Sequence, residues 1–226
     1  MFKRLFVTDG VRMVPAVIRS YGFEDFEGLI DVQAKSFPPP YPSELWWNEK
    51  QLAEHVQRFP EGALCVEIGG AIVGSMTGLR LTMTDGDEHD WATVSDDGYI
   101  RNHEPDGDTL YVIDICVVPE YRKFGLGKWL MQSMYETVVH VGCRRLLGGG
   151  RMPGYSRAAS ELTPEQYVAQ VTAGERTDPV LTFLLRCGRV PVGVVANYLD
   201  DEQSCGYAAL MEWRNPFIDN DNEEAT

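Results

Sequence analysis

The sequence predicts an α/β fold, a mixed β-sheet covered by helices in one domain. Three observations carry that prediction. The chain has 226 residues, 44% apolar and 24% charged, which suffices for a sizeable core without requiring a second domain. Apolar residues alternate between helical and strand-like spacing along its length. Turn and cap residues separate these segments into the order β-α-α-β-β-β-α-β-α-α-β-β.

Residues 14–21 (VPAVIRSY) read as the first strand. Residues 24–36 carry Phe26, Leu29, Ile30 and Ala34 at helical spacing, and PPPYP at 38–42 ends that helix. Ser43 is the expected N-cap of a second helix over 44–58, stopped by Pro60. Strands at 63–68 and 71–82 flank the hairpin signal Gly69-Gly70. Residues 84–108 hold nine acids and one Arg and read as a solvated surface loop. Within it, DGDEHD has Asp90 where a calcium loop requires Gly and Asp96 where it requires Glu, which rejects that motif.

TLYVIDICVV at 109–118 reads as a buried strand. A helix is expected over 125–141, with Leu126, Leu130, Met134, Val138 and Val141 on one face and Gly142 as its stop. A strand over 143–148 precedes three glycines and RMPGY. Thr163, Pro164 and Gln166 form a capping box for a helix over 163–173, with Gly174 behind it. A short helix over 180–186 and strands at 190–195 and 206–213 follow. The acidic tail, 219–226, is expected to be frayed.

Composition narrows the function. The net charge of -14 repels phosphate backbones and disfavours nucleic acid as a partner. The five cysteines form no CxxC pair and the four histidines no cluster, so neither a disulfide framework nor a metal site is expected. MFKRLFVTDG lacks the apolar core of a signal peptide. No apolar run approaches the ~18 residues of a membrane span. The expected compartment is the cytoplasm, with no membrane partner.

One stretch inverts the acidic background. In VVPEYRKFGLGK, 117–128, a strand ends at Pro119 and Gly125 and Gly127 open a helix amid Arg122, Lys123 and Lys128. The first turn of a helix has unpaired N–H groups at the positive end of its dipole, and phosphates bind there. The stretch is not a P-loop, because Arg122 stands at the first Gly position and Trp129 follows Lys128. It also lacks the third glycine of a dinucleotide fingerprint.

Arg122, Gly125 and Gly127 resemble the acyl-CoA-binding motif (Q/R)-x-x-G-x-(G/A) of the GNAT N-acetyltransferases, and Pro119-Glu120-Tyr121 precedes it as in many members. GGGRMPGY, the 163–173 helix and GYAALMEWRNP resemble the GNAT module joined to carbon–nitrogen hydrolases. The chain stops after that module, so no hydrolase site is expected. The resemblance implies a mostly antiparallel sheet over 1–218 and N-acyl transfer from acetyl-CoA, the cosubstrate, to an amine by direct attack. The alternative is a non-catalytic acyl-CoA-binding or regulatory module. It implies that Arg122, Lys123, Phe124, Gly125, Leu126, Gly127 and Lys128 cradle the pyrophosphate. The backbone of Ile115, Cys116 and Val117 would pair with pantetheine. Members are often dimers, which leaves a homodimer open.

Asp114, the one charged residue in TLYVIDICVV, is the candidate general base; Tyr111, at the place of a catalytic Glu in other members, is the alternative. Arg151 and Tyr155 are expected to line the acceptor site. Leu184 stands where many relatives carry a proton-donating Tyr, with Tyr155, Tyr198 and Tyr207 as possible substitutes.

Overall fold

The computed structural model describes residues 1–39, 41–84, 87 and 89–218. The expected frayed tail at 219–226 lies outside them. Among the described residues, eight strands form a single sheet: β1 (Phe2–Thr8), β2 (Met13–Ser20), β3 (Ala63–Ile68), β4 (Ala71–Leu81), β5 (Thr109–Val117), β6 (Arg145–Arg151), β7 (Val190–Val195) and β8 (Ala208–Arg214). Their spatial order is β1-β2-β3-β4-β5-β6-β8-β7. All neighbours are antiparallel except β5 and β6. The helices are α1 (Phe26–Ser36), α2 (Glu49–Arg58), α3 (Trp91–Ser95), α4 (Leu126–His140), α5 (Pro164–Thr172) and α6 (Leu181–Arg186). Among the described residues, no helix is long and apolar enough to cross a membrane.

The two central helices form where the periodicity places them. Leu126, Leu130, Met134 and Val138 of α4 are all fully buried, each contributing about 2 kcal/mol. Leu29 and Val32 of α1 are buried with them. α1 and α4 both pack on β4 and β5. The 163–166 box also forms: Thr163 Oγ1 accepts from Gln166 N, and Gln166 Oε1 accepts from Thr163 N at 2.9 Å.

Four expectations are corrected. First, β1 is an additional strand. Its Lys3, Leu5 and Val7 turn inward while Phe2, Arg4 and Phe6 face solvent, so apolar residues on both faces blur the alternation. Second, α2 is capped by Asn48, whose Oδ1 accepts from Lys50 N and Gln51 N; Ser43 opens only a 3-10 turn. Third, the acidic stretch is not wholly solvated. Asp90 caps α3, and Trp91, Val94 and Ile100 enter the core. The acids mark its outer side and conceal an apolar inner one. Fourth, β6 runs through the three glycines. A Cβ at Gly148 would lie 2.7 Å from Val112 O, and one at Gly149 would meet the Tyr198 ring at 2.3 Å. Close approach of neighbours, rather than a turn, requires glycine there.

The sheet opens at its centre. β5 and β6 pair only at Thr109–Arg145, Leu110–Leu146 and Tyr111–Leu147. Beyond Tyr111 they diverge. The β4 register shifts between Thr77 and Gly78, which face Asp114 and Val112, leaving Ile113 as an extra residue. Trp91 Nε1 donates to the Ile113 carbonyl at 3.0 Å. The bulge and the splay together create a cleft whose β5 wall has an unpaired edge.

Candidate active site

A cavity of about 600 Å³ fills this cleft. One end is the start of α4. A 3-10 turn over Pro119–Phe124 reaches Gly125, which takes φ +72° and serves as N-cap with no side-chain cap. Lys128 N donates to Gly125 O at 3.1 Å, and the N–H groups of Leu126 and Gly127 are left for a ligand. Gly125, Gly127 and Lys128 line the cavity, joined by Arg186 from α6.

The other residues of the motif divide by role. Phe124 and Leu126 bury their side chains and can present only main chain. Lys123 is exposed and outside the cavity lining. Arg122 lines the cavity, but its Nε donates to Val117 O at 3.0 Å and its Nη2 to Ser36 O at 3.1 Å. Its guanidinium therefore ties the end of β5 to the end of α1. Ile115, Cys116 and Val117 line the cavity along the β5 edge.

Asp114 sits half-buried on the cavity wall. Its Oδ2 accepts from Gln33 Nε2 of α1 at 3.0 Å. Burial among apolar neighbours pushes its carboxyl up to about 7, and the hydrogen bonds from Gln33 and Cys116 only partly oppose that. Cys116 carries no nucleophilic signature. Its Sγ lies 3.6 Å from Gln33 Nε2 and 3.4 Å from Ser75 Oγ, and burial raises its thiol well above the ordinary value.

Tyr111 is placed differently from Asp114. It is fully buried, is not part of the cavity lining, and burial holds its phenol well above the ordinary value. A group so placed neither reaches a substrate nor accepts a proton near neutral pH. Arg151 does line the cavity, but it forms a two-pronged ion pair with the buried Asp201, with Nε to Oδ2 and Nη2 to Oδ1 both at 2.8 Å. Its guanidinium also lies over the Tyr41 ring at 4.9 Å. Tyr155 is withdrawn from the cavity: it is buried, and its hydroxyl donates to Leu162 O at 3.1 Å. The 151–155 loop therefore contributes Arg151 to the wall and uses Tyr155 as packing.

Leu184 lines the cavity from α6, where it is buried. Of Tyr155, Tyr198 and Tyr207, only Tyr198 lines the cavity. The loop between β7 and β8 holds it there: Trp91 N donates to Tyr198 O at 2.8 Å, and Tyr198 N to Gly206 O at 2.8 Å. Sequence reasoning missed Gln33, Trp91, Tyr41 and Arg189 as wall or support residues. Gln33 interrupts an apolar helix face beside Val32, and that was the one signal available. The others arrive from segments far apart in the chain.

Comparison with known proteins agrees with this geometry. Residues 26–160 match the model of the acetyltransferase (GNAT) family. A Bacillus subtilis (strain 168) protein described as the uncharacterized N-acetyltransferase YkwB is 53% identical over 218 residues, covering 96% of both chains. The probable hydrolase YhcX of the same organism is 39% identical over 88% of this chain but only 38% of its own length. Among solved structures, the GphF GNAT-like decarboxylase in complex with isobutyryl-CoA superposes with a TM-score of 0.73 at 22% identity, covering 88% of this chain and 98% of that one. With a splayed β5–β6 pair and an uncapped α4 beside it, the chain belongs to the GNAT family of acetyltransferases.

Proposed function

We propose that the protein transfers an acetyl group from acetyl-CoA to a primary amine by direct attack in a ternary complex. The observation that carries this reading is Asp114, a carboxylate poised near neutrality on the cavity wall beside the unpaired β5 edge. The pyrophosphate would lie on the first turn of α4 between Lys128 and Arg186, which lowers the cost of its charge. Pantetheine would run along Ile115–Val117 as an added strand. The thioester would then lie towards Asp114 and the bulge.

A lysine-like amine has a pKa of about 10.4 and must lose a proton before it attacks. Asp114 accepts that proton. The nitrogen lone pair forms the C–N bond at the thioester carbon. A backbone N–H on the free edge of β5 stabilises the developing oxyanion, an effect of roughly 3 kcal/mol. Collapse breaks the C–S bond and releases the CoA thiolate, which takes up the second proton that the attacking nitrogen must lose to become a neutral amide. With a thiol pKa of about 8.5, that leaving group departs without an acid, which is consistent with Leu184 at the family tyrosine position.

The test is release of free CoA thiol from acetyl-CoA across a panel of amines, for wild type and Asp114→Asn. Turnover that collapses in Asp114→Asn, with acetyl-CoA affinity kept, is the expected result. CoA binding with no turnover on any amine would instead favour a binding module.

A further inference from the structure

Arg189 is nearly fully buried, 3% exposed, yet lines the cavity. Its Nη2 donates to Gly148 O at 3.2 Å and to Met211 O. Its Nε is buried with no partner, and the hydrogen bonds it makes among the described residues come from Nη2. Among the described residues, no carboxylate pairs with it. The polar groups acting on it are Tyr111, Tyr135, Tyr198 and Cys187, and burial without a counter-ion pulls its guanidinium down to about 10. A buried charge left in this state is costly unless a partner arrives.

Its position is the apex of the β5–β6 splay. A Cβ at Gly148 would meet both Val112 O and Arg189 Nη2, so the guanidinium lies beside the residue where β5 parts from β6. The Tyr198 ring occupies the space over the next residue, Gly149, and also lines the cavity. Behind it, the buried Tyr111 hydroxyl has no hydrogen-bond partner of standard geometry, and the neighbouring Tyr198 phenol helps to keep it protonated. Donors of Arg189 and Tyr198 thus converge on one end of the cavity, where among the described residues no carboxylate pairs with Arg189 and Asp90 acts on Tyr198 through its charge.

We propose that Arg189 and Tyr198 form a carboxylate subsite at the apex of the cavity, so that one of the two substrates carries a free carboxylate. This rests on the reading of the cavity as an acyl-CoA site. The carboxylate belongs either to the far end of the acyl group or to an amino-acid acceptor. An acetyl methyl offers these donors nothing. A carboxylate would take the open Arg189 N–H and the Tyr198 hydroxyl together, with charge-assisted geometry.

Calorimetry on the full chain separates the sources and does not depend on turnover. In one arm, malonyl-CoA and succinyl-CoA are compared with propionyl-CoA and butyryl-CoA. In the other, with CoA present, L-amino acids are compared with their amides. The expected result is binding at least about tenfold tighter for the charged ligands in one arm, and that arm identifies the source. The preference should vanish in Arg189→Met and weaken in Tyr198→Phe. Should Arg189→Met fail to fold, Arg189→Lys should retain a reduced preference, since it keeps the charge without the fork. Equal affinity for charged and neutral ligands in both arms of the wild type overturns the proposal, as does a preference untouched by Arg189→Met. If free CoA and every thioester fail to bind, the acyl-CoA reading falls as well.

Discussion

Gln33 Nε2 donates to Asp114 Oδ2 at 3.0 Å, joining α1 to β5 across 81 residues of sequence. This bond opposes burial in setting the protonation of the one acid that the central strand presents to the cavity.

With the Asp114 carboxyl pushed up to about 7, the basic form of the enzyme appears as pH rises through that value. A pH–rate profile of kcat/KM should show an acidic limb near 7 in the wild type. Asp114→Asn should lower kcat/KM about 100-fold and abolish the limb. If the rate and the limb both survive the substitution, Asp114 is structural.

The same shift has a consequence for stability. A carboxyl whose folded pKa lies above its unfolded value of about 3.9 binds more protons in the folded state, so stability falls as pH rises from about 4 through 7. Asp114→Asn should therefore raise Tm at pH 8 and show progressively less advantage as pH falls towards 4. Melting curves at both pH values check this. An Asn variant less stable than wild type at pH 8 would show that the carboxylate is held favourably.

Gln33→Leu removes a hydrogen bond that favours charged Asp114. The acidic limb should then move to higher pH by about one unit, while acetyl-CoA affinity stays unchanged. A limb that does not move, measured under the same conditions, would show that Gln33 does not tune the acid.

A Cβ at Gly127 would lie 3.2 Å from the Phe183 ring, within the cavity lining. Gly127→Val should weaken acetyl-CoA binding at least about tenfold. Pairing it with Phe183→Ala relieves the contact and tests whether the valine itself blocks the phosphates. Calorimetry should show the double variant still impaired; full recovery would assign the effect to Phe183 alone.

Arg151→Ala leaves Asp201 buried without its ion-pair partner. Loss of about 3 kcal/mol in urea unfolding at neutral pH is expected. A change in acceptor KM at unaltered stability would instead return Arg151 to the role of direct acceptor contact.

Local information was enough for the helix α4 with its buried stripe, for the α5 capping box, and for the turn around Gly125 that opens α4. Each depends on neighbours within about one turn of chain, and periodicity and cap chemistry record those directly. The same locality explains the errors. GGG at 148–150 looks like a loop until Val112, Tyr198 and Leu184 are seen pressing on it. The acidic stretch looks solvated until Trp91 is found donating to Ile113.

The sequence by itself therefore determined the fold class, the family and the glycine-rich helix start at Gly125. Only the tertiary structure decided which polar groups face the cavity. Asp114 and Tyr111 stand three residues apart in one strand, yet the β5 bulge and the splay put one on the wall and the other in the core. Arg151 is drawn onto Asp201, fifty residues away, while Arg189 keeps an unpartnered Nε at the apex. Burial and charge pairing are set by segments distant in the chain, and their energies follow spatial neighbours rather than sequence neighbours.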